Sequence, residues 1–103
     1  MNTVEKLKSI GGNEWIKGDM HRFYFSNLEE CIDLKIERFG TGNISRAVYE
    51  GEEISNRSAR TIIDDLNMTK VWFDIKENKF SFKGIREYAE TAIEFLTKKM
   101  SEV

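Results

Sequence analysis

The chain has 103 residues and a mass of 12.1 kDa, which is room for one domain, 1–103, and too little for two. Hydrophobic residues make up 40% and charged residues 33%, which excludes a disordered chain, and a net charge of −2 argues against binding nucleic acid or membranes by bulk charge. One cysteine excludes a disulfide framework, and one histidine excludes HExxH and every two-histidine metal centre.

In chain order, residues 2–10 read as a short amphipathic helix. Val4, Leu7 and Ile10 share a face, and Asn2 with Glu5 resembles a capping box. Gly11-Gly12 stops it. Residues 13–17 and 21–25 then form a hairpin turning near Gly18-Asp19, with Phe23 and Phe25 on one face and Arg22 and Tyr24 on the other. Ser26-Asn27-Leu28-Glu29 is a capping box for a short helix to about Asp33, with Leu28, Cys31 and Ile32 inward. Strands follow at 34–39 and 44–49, joined by Gly40-Thr41-Gly42-Asn43, and Glu50-Gly51 turns the chain again. Ser55 caps a helix over about 56–66, in which Ala59, Ile62, Ile63 and Leu66 make one apolar stripe. A strand over 70–75 with Val71, Phe73 and Ile75 on one face turns through 76–79 into a strand at 80–82. A last helix runs from Ile85 to about Met100, with Ile85, Tyr88, Ala89, Ala92, Leu96 and Met100 inward. The fold class is therefore α+β: an antiparallel sheet built from hairpins, with about four helices packed on one face or its ends. No proline guards any strand edge, so pairing between two copies stays open.

Catalytic readings are thin. Cys31 falls on an inward helix face, where free cysteine behaves as a small hydrophobe. His21 with Glu14, Asp19, Arg22 and Tyr24 offers an acid–base cluster for a small nuclease, but no second histidine or spaced carboxylate pair completes it. Asp64-Asp65 has no third ligand at metal-site spacing. Gly40-Thr41-Gly42-Asn43 is neither a P-loop nor a dinucleotide fingerprint. No apolar run approaches the roughly 20 residues of a membrane span, and no signal-peptide core is present. The expectation is a cytoplasmic chain without cofactor or metal.

The strand faces are more informative. Alternation leaves Tyr24, Phe39, Tyr49 and Trp72 opposite the core-facing residues, amid Arg22, Lys35, Arg46 and Lys70. Either terminal helices cover them or they form a surface. As a surface, Arg22, Tyr24, Arg46, Tyr49 and Trp72 are the types that dominate protein-binding hot spots. The same face also suits stacking of single-stranded nucleic acid, although no RNP1-like motif is present.

Three runs carry a resemblance: Gly11-Gly12-Asn13-Glu14-Trp15-Ile16-Lys17-Gly18-Asp19-Met20-His21-Arg22-Phe23-Tyr24-Phe25, Thr41-Gly42-Asn43-Ile44-Ser45, and Ile54-Ser55-Asn56-Arg57-Ser58-Ala59-Arg60. Together, over roughly residues 10–83, they are similar to small single-domain proteins carried by phages, plasmids and integrative elements of low-GC Gram-positive bacteria. The resemblance implies an accessory role on a mobile element. Small non-catalytic domains from that setting include anti-CRISPR proteins, which bind a host effector and block its DNA or its movement. No functional residues come with it. The expected function is non-catalytic binding to a protein partner, such as a host nuclease or CRISPR effector. Single-stranded nucleic acid is the alternative, and a His21-dependent nuclease the second alternative.

Overall fold

In the computed structural model, which describes all 103 residues, α1 (Thr3–Ser9) starts where Asn2 accepts the Glu5 amide at 2.8 Å. The first hairpin forms as β1 (Asn13–Lys17) and β2 (Met20–Phe25), with Lys17 opposite Met20, so Gly18 and Asp19 alone make the turn. The next helix is shorter than its sequence predicts. α2 (Leu28–Cys31) is a single turn with Asn27 at its N-cap, and the Asn27 amide donates to Glu30 Oε2 instead of Ser26 capping the backbone. Asp33 then adopts a positive φ of 57° and redirects the chain.

β3 (Leu34–Arg38) and β4 (Ile44–Tyr49) pair as their sequences predict. A further strand, β5 (Glu52–Ile54), which the sequence pattern does not predict, pairs with β4. Glu50 and Gly51 have φ values of 52° and 83°, the pair of positive angles that a two-residue type I′ turn needs. Glutamate rarely accepts that conformation, so the tight hairpin is hard to read from Glu-Gly.

α3 (Asn56–Asn67) begins where Ser55 Oγ accepts the Ser58 amide at 3.0 Å. Ala59, Ile62 and Leu66 of its stripe are buried, while Ile63 is half-buried at the stripe's border. β6 (Lys70–Asp74), β7 (Lys79–Lys83) and α4 (Arg86–Glu102) complete the chain.

The strands divide between two antiparallel sheets, β1-β2-β6-β7 and β3-β4-β5. One edge of β2 holds its hairpin partner β1 and the other holds β6, so β3 cannot pair beside β2. The α2 turn and Asp33 carry the chain away to start the second sheet.

The four-stranded sheet buries Phe23, Phe25, Val71 and Phe73 in one cluster with Leu7 of α1 and Ala89, Ala92 and Leu96 of α4. Those helices therefore cover one face only. A smaller cluster of Ile44, Ala47 and Ala59 joins α3 to the second sheet. The molecule is elongated, 43 × 28 × 26 Å. Its surface of 6,890 Å² exceeds the roughly 6,000 Å² that a rounder chain of this mass would show. No helix is long and apolar enough to cross a membrane.

Candidate binding surface

The uncovered face of the four-stranded sheet is fixed by register. Trp15 lies opposite Arg22, Arg22 opposite Asp74, and Tyr24 opposite Trp72, so all five side chains share the outer face. They form one cluster. Tyr24 meets Trp72 with centroids 5.6 Å apart, and the Trp15 and Tyr24 rings stand edge to face at 6.0 Å. The Arg22 guanidinium lies 4.8 Å from the Trp72 centroid and 5.9 Å from that of Trp15. Arg22 Nη1 donates to Tyr24 Oη at 3.0 Å, and Asp74 Oδ2 stands 3.8 Å from Arg22 Nε. Arg22 Nε is itself buried and makes no hydrogen bond. Trp15, Tyr24 and Trp72 stay outside both hydrophobic clusters, so these aromatics are not core.

Around this centre stand exposed lysines on the same face: Lys17 of β1, Lys70 of β6, and Lys79 and Lys83 of β7. An open groove of about 830 Å³ continues from Trp15, Tyr24 and Lys70 toward Asn27 at the start of α2 and Asn67 at the end of α3.

Of the five residues expected to form a surface, Arg22, Tyr24 and Trp72 come together and Arg46 and Tyr49 do not. The last two belong to the other sheet. Arg46 is exposed and ion-paired with Glu53 at 3.3 Å. Tyr49 packs against the main core, and burial and the neighbouring Glu50 carboxylate push its hydroxyl up to about 12. Phe39 is 59% exposed at the β3–β4 loop, and Lys35 also belongs to the second sheet. Trp15 was missed. Its signal was present, because a two-residue turn at Gly18-Asp19 places Lys17 opposite Met20 and hence Trp15 opposite Arg22.

The acid–base cluster expected around His21 divides between the two faces. His21 Nε2 and Glu14 Oε2 pair at 2.7 Å beside Lys8, on the side of Phe23. Arg22 and Tyr24 alternate to the opposite side. No group of three or more potential metal ligands converges anywhere, Asp64 and Asp65 included. Cys31 is buried, and burial, then the Glu30 charge, push its thiol up to about 11.

The Cys31 shift has a measurable consequence. Below pH 9 the thiol is neutral in folded and unfolded chains alike. Above it the unfolded thiol ionises first, so the fold loses up to about 2 kcal/mol as pH rises toward 11. Denaturant melts should therefore show the stability gap between wild type and Cys31→Ala narrowing across that window. A gap that is flat from pH 8 to about pH 11 would mean the thiol is not buried as described.

No family model matches this chain, and no curated protein or solved structure matches it.

Proposed function

We propose that this chain is a non-catalytic protein-binding module that docks its partner on the outer face of the β1-β2-β6-β7 sheet. The supporting observation is the Trp15–Arg22–Tyr24–Trp72 cluster, packed within itself and outside both hydrophobic clusters. Tyr, Trp and Arg are the enriched centre of protein interfaces, with lysines excluded to the rim. Lys17, Lys70, Lys79 and Lys83 stand at such a rim here. Pre-packing also lowers the entropy lost on docking.

The resemblance of residues 11–25, 41–45 and 54–60 to proteins of mobile elements supports a partner within a host nucleic-acid-targeting complex, which the module inhibits by occupying it, as anti-CRISPR proteins do. A second reading, single-stranded nucleic acid on the same face, is favoured by one observation: the lysine rim. The two separate by salt, since a nucleic-acid complex weakens along a log–log slope with added salt.

The test is co-purification from host lysate, with and without nuclease, using wild type and Trp72→Ala. Truncation of Trp72 is expected to weaken partner binding by at least about 2 kcal/mol, near thirtyfold. Stability is expected to fall by only about 1 kcal/mol, because the ring packs on Tyr24 and Arg22 and not on the core. A variant that melts but binds normally when folded would place Trp72 in the scaffold and end this reading. His21→Ala is expected to leave inhibition intact. A loss beyond about tenfold with unchanged circular dichroism would instead favour catalysis.

A further inference from the structure

The charges of this chain are unevenly placed. The outer face of the four-stranded sheet holds Lys17, Arg22, Lys70, Lys79 and Lys83 against one carboxylate, Asp74. With sixteen basic and eighteen acidic residues in all, the rest of the molecule is left with eleven basic and seventeen acidic. A local cationic face therefore sits on a predominantly anionic body.

We infer that the partner presents an acidic protein surface to this face, with one of its carboxylates received by Arg22; this rests on reading the face as a protein-docking surface. Arg22 is held for that task. Its guanidinium lies between two indoles, its side chain is 25% exposed, and Nη1 is fixed by Tyr24. A planar fork with a fixed orientation suits a carboxylate, which can accept two of its N–H groups at once. Asp74 already stands 3.8 Å from Nε, which is buried, so a partner carboxylate meets the terminal Nη groups of the fork.

Two observations favour protein over nucleic acid as the source of the negative charge. The rings spend their surfaces on each other: Arg22 covers Trp72, and Trp15 meets Tyr24 edge to face. Base stacking needs a free ring face. The anionic body, moreover, repels a long polyanion that runs past the face, whereas a compact acidic patch meets only the face.

Size adds a constraint. Four strands of five or six residues span roughly 17 by 19 Å, a projected area of about 300 Å². Standard interfaces bury about 800 Å² per partner. The acidic surface must therefore reach beyond the sheet, and the groove past Lys70 toward Asn27 and Asn67, which also holds the Glu29 carboxylate, is the continuous extension.

The test titrates the isotope-labelled full chain with three probes while observing the Trp15 and Trp72 indole signals. They are a roughly 12-residue peptide of Glu, Asp, Leu and Phe, its Gln/Asn counterpart, and a dT oligonucleotide of similar length. The acidic peptide is expected to shift both indoles. Lys17→Glu/Lys83→Glu, exposed changes at opposite edges of the face, should weaken it at least about tenfold, and the neutral peptide should bind at least about tenfold more weakly. Equal binding of the neutral peptide overturns the inference, as does absence of any acidic-peptide response. Oligonucleotide binding more than about tenfold tighter at about 150 mM salt also overturns it, in favour of nucleic acid. The parent reading fails separately. If Trp72→Ala still captures the lysate partner at full strength, the face is not the docking surface at all.

Discussion

Replacing Gly84 by alanine is expected to cost more than about 3 kcal/mol, a large share of the roughly 5–15 kcal/mol that holds a domain of this size folded. Gly84 joins β7 to α4 with φ at 110°, a conformation that strains any side chain. The added Cβ would also lie 2.3 Å from Met68 O and 2.7 Å from Thr69 Cα. Both are backbone atoms and cannot swing aside. Nor can the segment shift freely, because Thr69 Oγ1 donates to Asp65 O at 2.8 Å and accepts the Ile85 amide at 3.1 Å. Thr69, the one buried polar residue, thus ties the end of α3 to the start of α4, and Gly84 fits beneath that tie. Gly51→Ala is the control: φ is 83°, nothing lies within 4 Å of the added atom, and only the backbone strain of about 1–2 kcal/mol applies. Urea melts of the two variants should differ by at least about 1 kcal/mol. Equal losses would show that the close approach at Gly84 does not exist.

Much of the fold was legible because its signals were local. Asn2 and Ser55 are good caps and both cap; Ala59, Ile62 and Leu66 follow one helical stripe and are buried. Phe23 and Phe25 alternate with Arg22 and Tyr24, and the sheet keeps that alternation. What escaped was set by distant parts of the chain. Whether β2 takes β3 or β6 as its second neighbour depends on a pairing across more than forty residues, and no local pattern encodes it. That single choice splits the sheet, sends Arg46 and Tyr49 to the other half, and places Trp72 beside Tyr24. The extent of the candidate surface was therefore readable strand by strand, but its membership was not. Trp15 is the exception, a residue recoverable from a two-residue turn alone.

Phe23→Ala should be the most damaging truncation of the core, costing about 3–5 kcal/mol, against a total stability of about 5–15 kcal/mol for a chain of this length. Phe23 has no exposed surface and sits in β2, an inner strand, opposite Phe73 of β6. Leu7 of α1 and the alanines of α4 close over the same cluster, leaving little room to collapse into the cavity. The residue also stands back to back with the candidate surface, since Arg22 and Tyr24 flank it in sequence and point the other way. Phe23→Leu keeps an apolar side chain there and is expected to cost no more than about 1.5 kcal/mol. That pair of variants separates scaffold from surface. In Phe23→Leu the molecule should melt earlier yet, while folded, bind its partner within about twofold of wild type, because Trp15, Arg22, Tyr24 and Trp72 keep their register. A thirtyfold loss of binding in a folded Phe23→Leu variant would mean that the surface depends on core packing behind β2, so that the Trp72 result alone could not be read as a contact with the partner.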